Sequence, residues 1–177
     1  MRSMATDTPI GRFELVADDG ALREIRLLDA AGGVVPSPGA EAACGAGRSP
    51  IAPRSGDQAL LDRACHQLAE YFACARRSFD LSVAAAGTPF QRRVWERLRT
   101  IGYGETVSYG ALAAALGSPR AARAVGAALA RNPLPVVVPC HRVVGAAGDL
   151  RGFGLGLPAK RLLLDLESSA CAGTMQV

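Results

Sequence analysis

No stretch of about 18 consecutive apolar residues occurs in this 177-residue chain, so no segment reads as a membrane-spanning helix. The first residues, MRSMATDTPIGRFELV, carry no apolar run like that of a secretion signal, and a cytoplasmic location is the default expectation. Cysteine is sparse and odd in number: Cys44, Cys65, Cys74, Cys140 and Cys171. Their irregular spacing argues against a disulfide framework. A zinc site would have to be forced from Cys44, Cys65, His66 and Cys74, and Cys65 and Cys74 read more simply as small apolar residues on a helix. There is no metal motif, no nucleotide motif and no internal repeat, so neither a metal nor another cofactor is expected. Acid is missing from one long stretch. None lies between Glu105 and Asp149, where Arg120, Arg123, Arg131 and Arg142 stand. Residues 1–80 hold nine arginines against eleven acids, whereas residues 81–177 hold eleven basic residues against five acids. An acid-free arginine stretch suits a polyanion-binding face, and equally a solvated surface with chance clustering.

What is present divides into two parts. Residues 9–28 alternate apolar and polar on either side of Asp19-Gly20, the pattern of a β-hairpin. Residues 30–56 are rich in Gly, Ala, Pro and Ser and read as a loop of low order. Residues 57–75 have helical apolar spacing with Asp57 as the N-cap, and residues 78–83 alternate as a short strand. A boundary falls at Ala84–Thr88, giving domains at 1–84 and 85–168 and a tail at 169–177 that reads as frayed. In the second domain Thr88-Pro89 opens a helix running to Ile101. Ser108 caps a short helix closed by Gly117, and a third helix covers residues 120–132. The last two form a helix-turn-helix pattern, used both for DNA binding and for plain packing. Then come a buried apolar strand at 135–138, Pro139, and Cys140 beside His141, one of only two histidines. A glycine-rich loop at 145–156 leads to a last helix from about Pro158 to Glu167, with Leu162, Leu163 and Leu166 facing inward.

A cysteine becomes a strong nucleophile when a base or positive charge favours its thiolate. On a regular strand Cys140 and His141 would point to opposite faces, so the histidine can act on the thiol only if the chain bends, which Pro139 permits. Read from these residues alone, an inert buried cysteine remains the simpler alternative.

The segment NPLPVVVPCHRVVG, preceded by GETVSYGALAAALGSPRAARAVGAALAR, resembles the O6-alkylguanine-DNA alkyltransferases. GTPFQRRVWERL, PIGRFELVADDGALREIRL and AKRLLLDLE match the same family, so the resemblance spans roughly residues 8–168. It implies an α+β protein: a small N-terminal β-sheet/helix domain of ribonuclease-H-like shape, and a mainly helical C-terminal domain with a winged-helix-like helix-turn-helix. It also implies repair by single-turnover transfer of an alkyl group from O6-alkylguanine in double-stranded DNA to Cys140 after base flipping, with O4-alkylthymine as a further substrate. The partner would be the minor groove, where little sequence information is offered, bound by a monomer that can cluster along DNA.

By the same resemblance, Glu167 orients His141, which acts through water on Cys140. The hydroxyl of Tyr109 donates toward the base, and Asn132 holds the turn before the cysteine. Arg123 fills the gap left by the flipped nucleotide, on a helix whose small residues Ala122, Ala124 and Gly126 allow close approach. Val143, Val144, Gly145, Phe153, Gly154 and Leu155 line the base pocket. This chain departs from the family where Phe153 replaces a tyrosine, where Leu155 replaces a common glycine, and at the turn residue Gly102, where proline is common. Leu155 should narrow the pocket mouth, favouring methyl over bulky adducts. A non-catalytic binder of alkylated DNA, a thiol-based helix-turn-helix sensor and a cysteine hydrolase are the competing readings.

Overall fold

The computed structural model describes residues 1–35 and 55–172. It divides into two compact units, Met1–Ala85 and Ala86–Val177. In the first, β1 (Arg2–Thr8), β2 (Gly11–Asp18) and β3 (Ala21–Leu28) form an antiparallel sheet in that order. The β2–β3 hairpin turns through Asp19 and Gly20, both at positive φ (55° and 73°), as a two-residue turn matched to strand twist requires. Strand β1 extends the predicted hairpin by an edge strand. Its sequence RSMATDT carries little apolar alternation, and its residues run half-buried and exposed in turn, so periodicity gave no sign of it.

Helix α1 (Ser55–Phe72) covers the sheet with Leu60, Leu61, Ala64, Leu68 and Tyr71, all buried and spaced for one helical face. It starts before Asp57, which is therefore not the N-cap. The buried Asp57 carboxylate instead accepts from the Gly20 amide at 2.8 Å, tying the helix to the hairpin turn. The expected strand at 78–83 reduces to a single parallel bridge, Leu22↔Val83. A helix side chain takes the place of a neighbouring strand there: Gln67 accepts from the Asp80 amide at 2.9 Å and donates to its carbonyl at 3.2 Å. Cys65 is half-buried on α1, but Cys74 lies beyond the helix, exposed and at φ 58°. In the predicted loop at 30–56, Asp29 accepts from Ala31 and Gly33 and Val34 bridges Leu28. The low order expected of its remainder up to residue 54 lies outside the described residues.

In the second unit α2 (Pro89–Leu98) begins with a complete capping box between Thr88 and Gln91. It stops three residues before the expected end, and Thr100 and Ile101 continue as turns. The buried Trp95 donates its indole N–H to the Ala128 carbonyl at 2.9 Å. Ser108 caps α3 (Tyr109–Ala115) by accepting from the Ala111 amide, and Gly117 at φ 73° closes it. Helix α4 (Ala122–Ala130) is shorter than the predicted span 120–132 and buries Val125, Ala128 and Leu129. Two short strands, β4 (Val107–Ser108) and β5 (Val143–Val144), pair in parallel.

Two predictions fail here. Residues 134–138 are buried but form no strand. Val136 sits at φ 73° and the Val138 amide donates back to the Leu134 carbonyl at 2.8 Å, folding the segment on itself. Pro133 and Pro135 remove two ladder donors, and the Leu134 amide is taken by a side chain. In α5 (Leu157–Ala172) the inner face is Ala159, Lys160, Leu163 and Glu167. Leu162 is 36 % exposed and Leu166 half-buried. Two charged residues on the buried face had rotated the expected helix outward. The helix also takes in the first part of the predicted frayed tail.

Candidate active site

Cys140 opens a single 3-10 turn, Cys140–Arg142. The turn supplies the bend that a strand would have denied, so three consecutive side chains all reach the interior. The turn is pinned through the main chain by Cys140 N–H to Val138 O (2.8 Å) and Arg142 N–H to Pro139 O (3.1 Å).

Asn132, just past α4, fixes both sides of this bend. Its amide Nδ2 donates to the Val138 carbonyl at 2.8 Å and to Cys140 Sγ at 3.1 Å. Its Oδ1 accepts from the Leu134 amide at 3.0 Å. Burial pushes the Cys140 thiol up to about 11, against the Asn132 hydrogen bond, the Lys160 charge and the amides of the turn, all of which favour the thiolate. Cys140 keeps 5 % of its surface exposed.

His141 and Glu167 are fully buried, with Nε2 and Oε1 3.0 Å apart. Arg142 grips the same carboxylate, Nη2 to Oε1 at 2.7 Å and Nε to Oε2 at 2.9 Å, and donates from Nη1 to the Ile101 carbonyl at 2.6 Å. The Gly104 amide donates to Oε2 at 3.0 Å. A buried carboxylate is tolerable only when so supported. Burial holds the His141 imidazole below its usual range, although the Glu167 hydrogen bond and charge pull the other way. The resting imidazole is therefore neutral and able to accept a proton.

Tyr109, the first residue of α3, is half-buried. Burial and the Cys140 charge raise its hydroxyl above the usual tyrosine range. Gly126 of α4 lies against its ring: a Cβ there would come within 3.8 Å. Phe153 meets the His141 ring edge-on at 6.4 Å. Val143 and Val144 are buried, and Gly145 begins a tight loop through its amide to the Asp149 carbonyl (2.8 Å). Gly154 and Leu155 are half-buried.

The structure thus gathers Asn132, Cys140, His141, Glu167, Tyr109 and Val143 into one neighbourhood. It does not bring Arg123 there. Arg123 and Ala124 are exposed on the outer face of α4, with Ala122 and Gly126 half-buried, and Arg123 makes no hydrogen bond or ion pair among the described residues. Sequence reasoning missed two members. Arg142 was read only as part of the basic stretch, although it stands beside His141. Lys160, the single lysine of the chain, is fully buried, and its spacing to Leu163 and Glu167 was the available signal.

This is the architecture of a helix-turn-helix protein whose second helix runs into a buried cysteine–histidine–glutamate site. Residues 89–169 match the family described as 6-O-methylguanine DNA methyltransferase, DNA binding domain. Methylated-DNA–protein-cysteine methyltransferases of Mycobacterium tuberculosis and Methanosarcina acetivorans are 43 % and 39 % identical, each alignment covering 92 % of this chain and 90 % and 96 % of the relative. The crystal structure of Mycobacterium tuberculosis OGT in complex with DNA superposes with TM-score 0.78 at 40 % identity, covering 96 % of this chain and 94 % of that one. The chain belongs to the methylated-DNA–protein-cysteine methyltransferase family, a class of DNA-repair enzymes.

Proposed function

We propose that this protein reverses alkylation damage directly, moving one alkyl group, methyl foremost, from O6 of guanine in duplex DNA to Cys140 Sγ. The carrying observation is the continuous buried network from Asn132 through Cys140, with His141, Glu167 and Arg142 on the same turn and the helix facing it. O6 lies in the base-pairing edge, so the nucleotide must leave the stack, at a cost of roughly a few kcal/mol. Arg123, exposed on α4, fills the gap it leaves, while Ala122, Ala124 and Gly126 let the helix lie close to the minor groove. The everted base rests against Val143, Val144 and Gly145 and beneath Phe153, Gly154 and Leu155.

His141 takes the thiol proton by way of a water, and Glu167, held by Arg142 and Gly104, stabilises the resulting imidazolium. The thiolate attacks the alkyl carbon in line. The S–C bond forms, the C–O6 bond breaks, and its electron pair leaves with guanine. Tyr109 donates toward the departing base, which ends neutral once a proton returns through the relay. A resting thiol near 11 is almost wholly protonated at neutral pH, which protects it from stray electrophiles until base and DNA are in place. The thioether has no route back, so each molecule, acting as a monomer, reacts once. A working thiol needs a reducing compartment, which puts the reaction in the cytoplasm.

The test is to mix the protein with duplex DNA carrying one O6-methylguanine and weigh it intact. We expect one added methyl on the Cys140 peptide, never more under excess DNA, and none with Cys140→Ser, which still binds DNA. Multiple turnovers, or binding of DNA with no mass change in the native protein, would refute the proposal.

A further inference from the structure

Lys160 is anomalous on physical grounds. A buried ammonium is costly unless an opposite charge or a full set of acceptors compensates it. Lys160 Nζ donates to two main-chain carbonyls, Val143 O at 2.6 Å and Arg151 O at 2.9 Å. It lies 6.0 Å from the Tyr109 ring centroid, a favourable but weak arrangement. No carboxylate pairs with it among the described residues. The groups around it are Cys140 and His141 on the 3-10 turn, Tyr109 on α3, and Asp149 and Arg151 on the loop after β5. Of the acids, Asp149 is turned to Arg151 and Glu167 is held by Arg142. Two other groups in this pocket can become anions: the Tyr109 hydroxyl, which burial and the Cys140 charge hold above the usual tyrosine range, and the sulfur of Cys140, whose charge and that of Lys160 favour each other.

We propose that Lys160 is an electrostatic positioning residue for the transfer, its ammonium being the counter-charge of the Cys140 thiolate while its two carbonyl bonds hold β5 and the Arg151 loop around that sulfur. The inference rests on reading Cys140 as the alkyl acceptor. With a neutral thiol the only opposite charge acting on the ammonium among the described residues is that of Asp149, itself turned to Arg151, and ionisation of the thiol adds a second. The two carbonyl bonds tether the ammonium to Val143, which follows the 3-10 turn directly, and to the Arg151 loop. The imidazolium formed on His141 during proton removal is compensated separately by Glu167, so the two cations do not compete for one anion.

The experiment measures alkylation of Cys140 by iodoacetamide against pH, by peptide mass, in the full-length protein and in Lys160→Met and Lys160→Arg. This reaction needs no DNA. We expect the Lys160→Met profile to move to higher pH by about one unit, a roughly tenfold slower reaction at fixed neutral pH, with Lys160→Arg nearer the native profile. Superimposable profiles for Lys160→Met and the native protein would overturn the proposal. If the variants do not fold, the native chain still decides: with one lysine present, 13C-lysine labelling gives a single side-chain Cε resonance. Its pH titration should show an inflection where Cys140 ionises, absent in Cys140→Ser, and identical titrations would overturn the coupling. Failure of native protein to demethylate DNA, with the lysine–thiol coupling intact, would instead sink the repair reading alone.

Discussion

Replacing Asn132 by alanine tests whether one side chain both builds the bend and tunes the sulfur. Three hydrogen bonds are lost, to Val138 O, from Leu134 N–H and to Cys140 Sγ. A typical net loss is about 1 kcal/mol per bond, and a buried group left without a partner costs ~1–3 kcal/mol. The Leu134 amide and the Val138 carbonyl are both in the buried segment, so destabilisation should be about 2–4 kcal/mol. At a mid-range slope of ~2 kcal/mol per molar urea, the unfolding midpoint should fall by about 1–2 M. Independently, removing the amide donor takes away the largest influence that opposes burial at the thiol, so Cys140 alkylation at fixed pH should slow even under conditions where the variant is folded. Asn132→Asp separates the two effects. It keeps an acceptor for Leu134 but sets a negative charge beside the sulfur, and should react more slowly than the alanine variant. Unfolding of Asn132→Ala within about 0.5 kcal/mol of native protein, or alkylation with an unchanged pH profile, would refute this double role of Asn132.

Other outcomes follow from the same geometry. Glu167→Ala strands the buried Arg142 guanidinium, the His141 ring and the Gly104 amide, and should cost about 3–5 kcal/mol in chemical denaturation, whereas Glu167→Gln should cost less. Arg123→Ala breaks no hydrogen bond or ion pair among the described residues, so stability should stay within about 0.5 kcal/mol; transfer from duplex DNA should slow about tenfold or more while iodoacetamide reactivity holds. Because burial keeps His141 below its ordinary 6.5, the unfolded chain binds the extra proton between that value and the folded one. Stability should therefore fall as pH drops below about 6.5, and the transfer rate only at the lower pH where the folded imidazole itself takes up a proton; an acid limb unchanged in His141→Gln would contradict this. With Leu155 near the pocket loop, O6-methylguanine should react faster than O6-benzylguanine, and Leu155→Gly should narrow the gap, as measured by single-turnover rates.

Much of the fold was legible because its signals are local. The Asp19-Gly20 turn, the Thr88 cap, the Ser108 cap and the Gly117 stop each depend on a few adjacent residues, and each appears where the sequence placed it. What was not legible depends on partners far along the chain. Strand β1 exists because β2 offers it an edge. Residues 78–83 fail to extend the sheet because Gln67, on a helix, satisfies Asp80. The segment 134–138 looked like a strand by hydrophobicity, yet its two prolines and the Asn132 side chain turn it back on itself. At the site, Cys140, His141 and Asn132 were recognisable from one contiguous motif. Lys160 and Arg142 were not, since a charged residue in a core has no signature until its partners are known, and the inward face of α5 was misjudged for the same reason.

The outer face of α4 bears one long side chain, Arg123, among alanines and a glycine. Laid along a duplex, such a face has almost nothing with which to tell one base pair from another. In the proposed repair the protein would then scan without landmarks, every stretch of duplex being alike to it. Finding a lesion would depend on how many unspent copies the cell keeps, so supply of the protein, not its affinity for any site, would set how long damage persists.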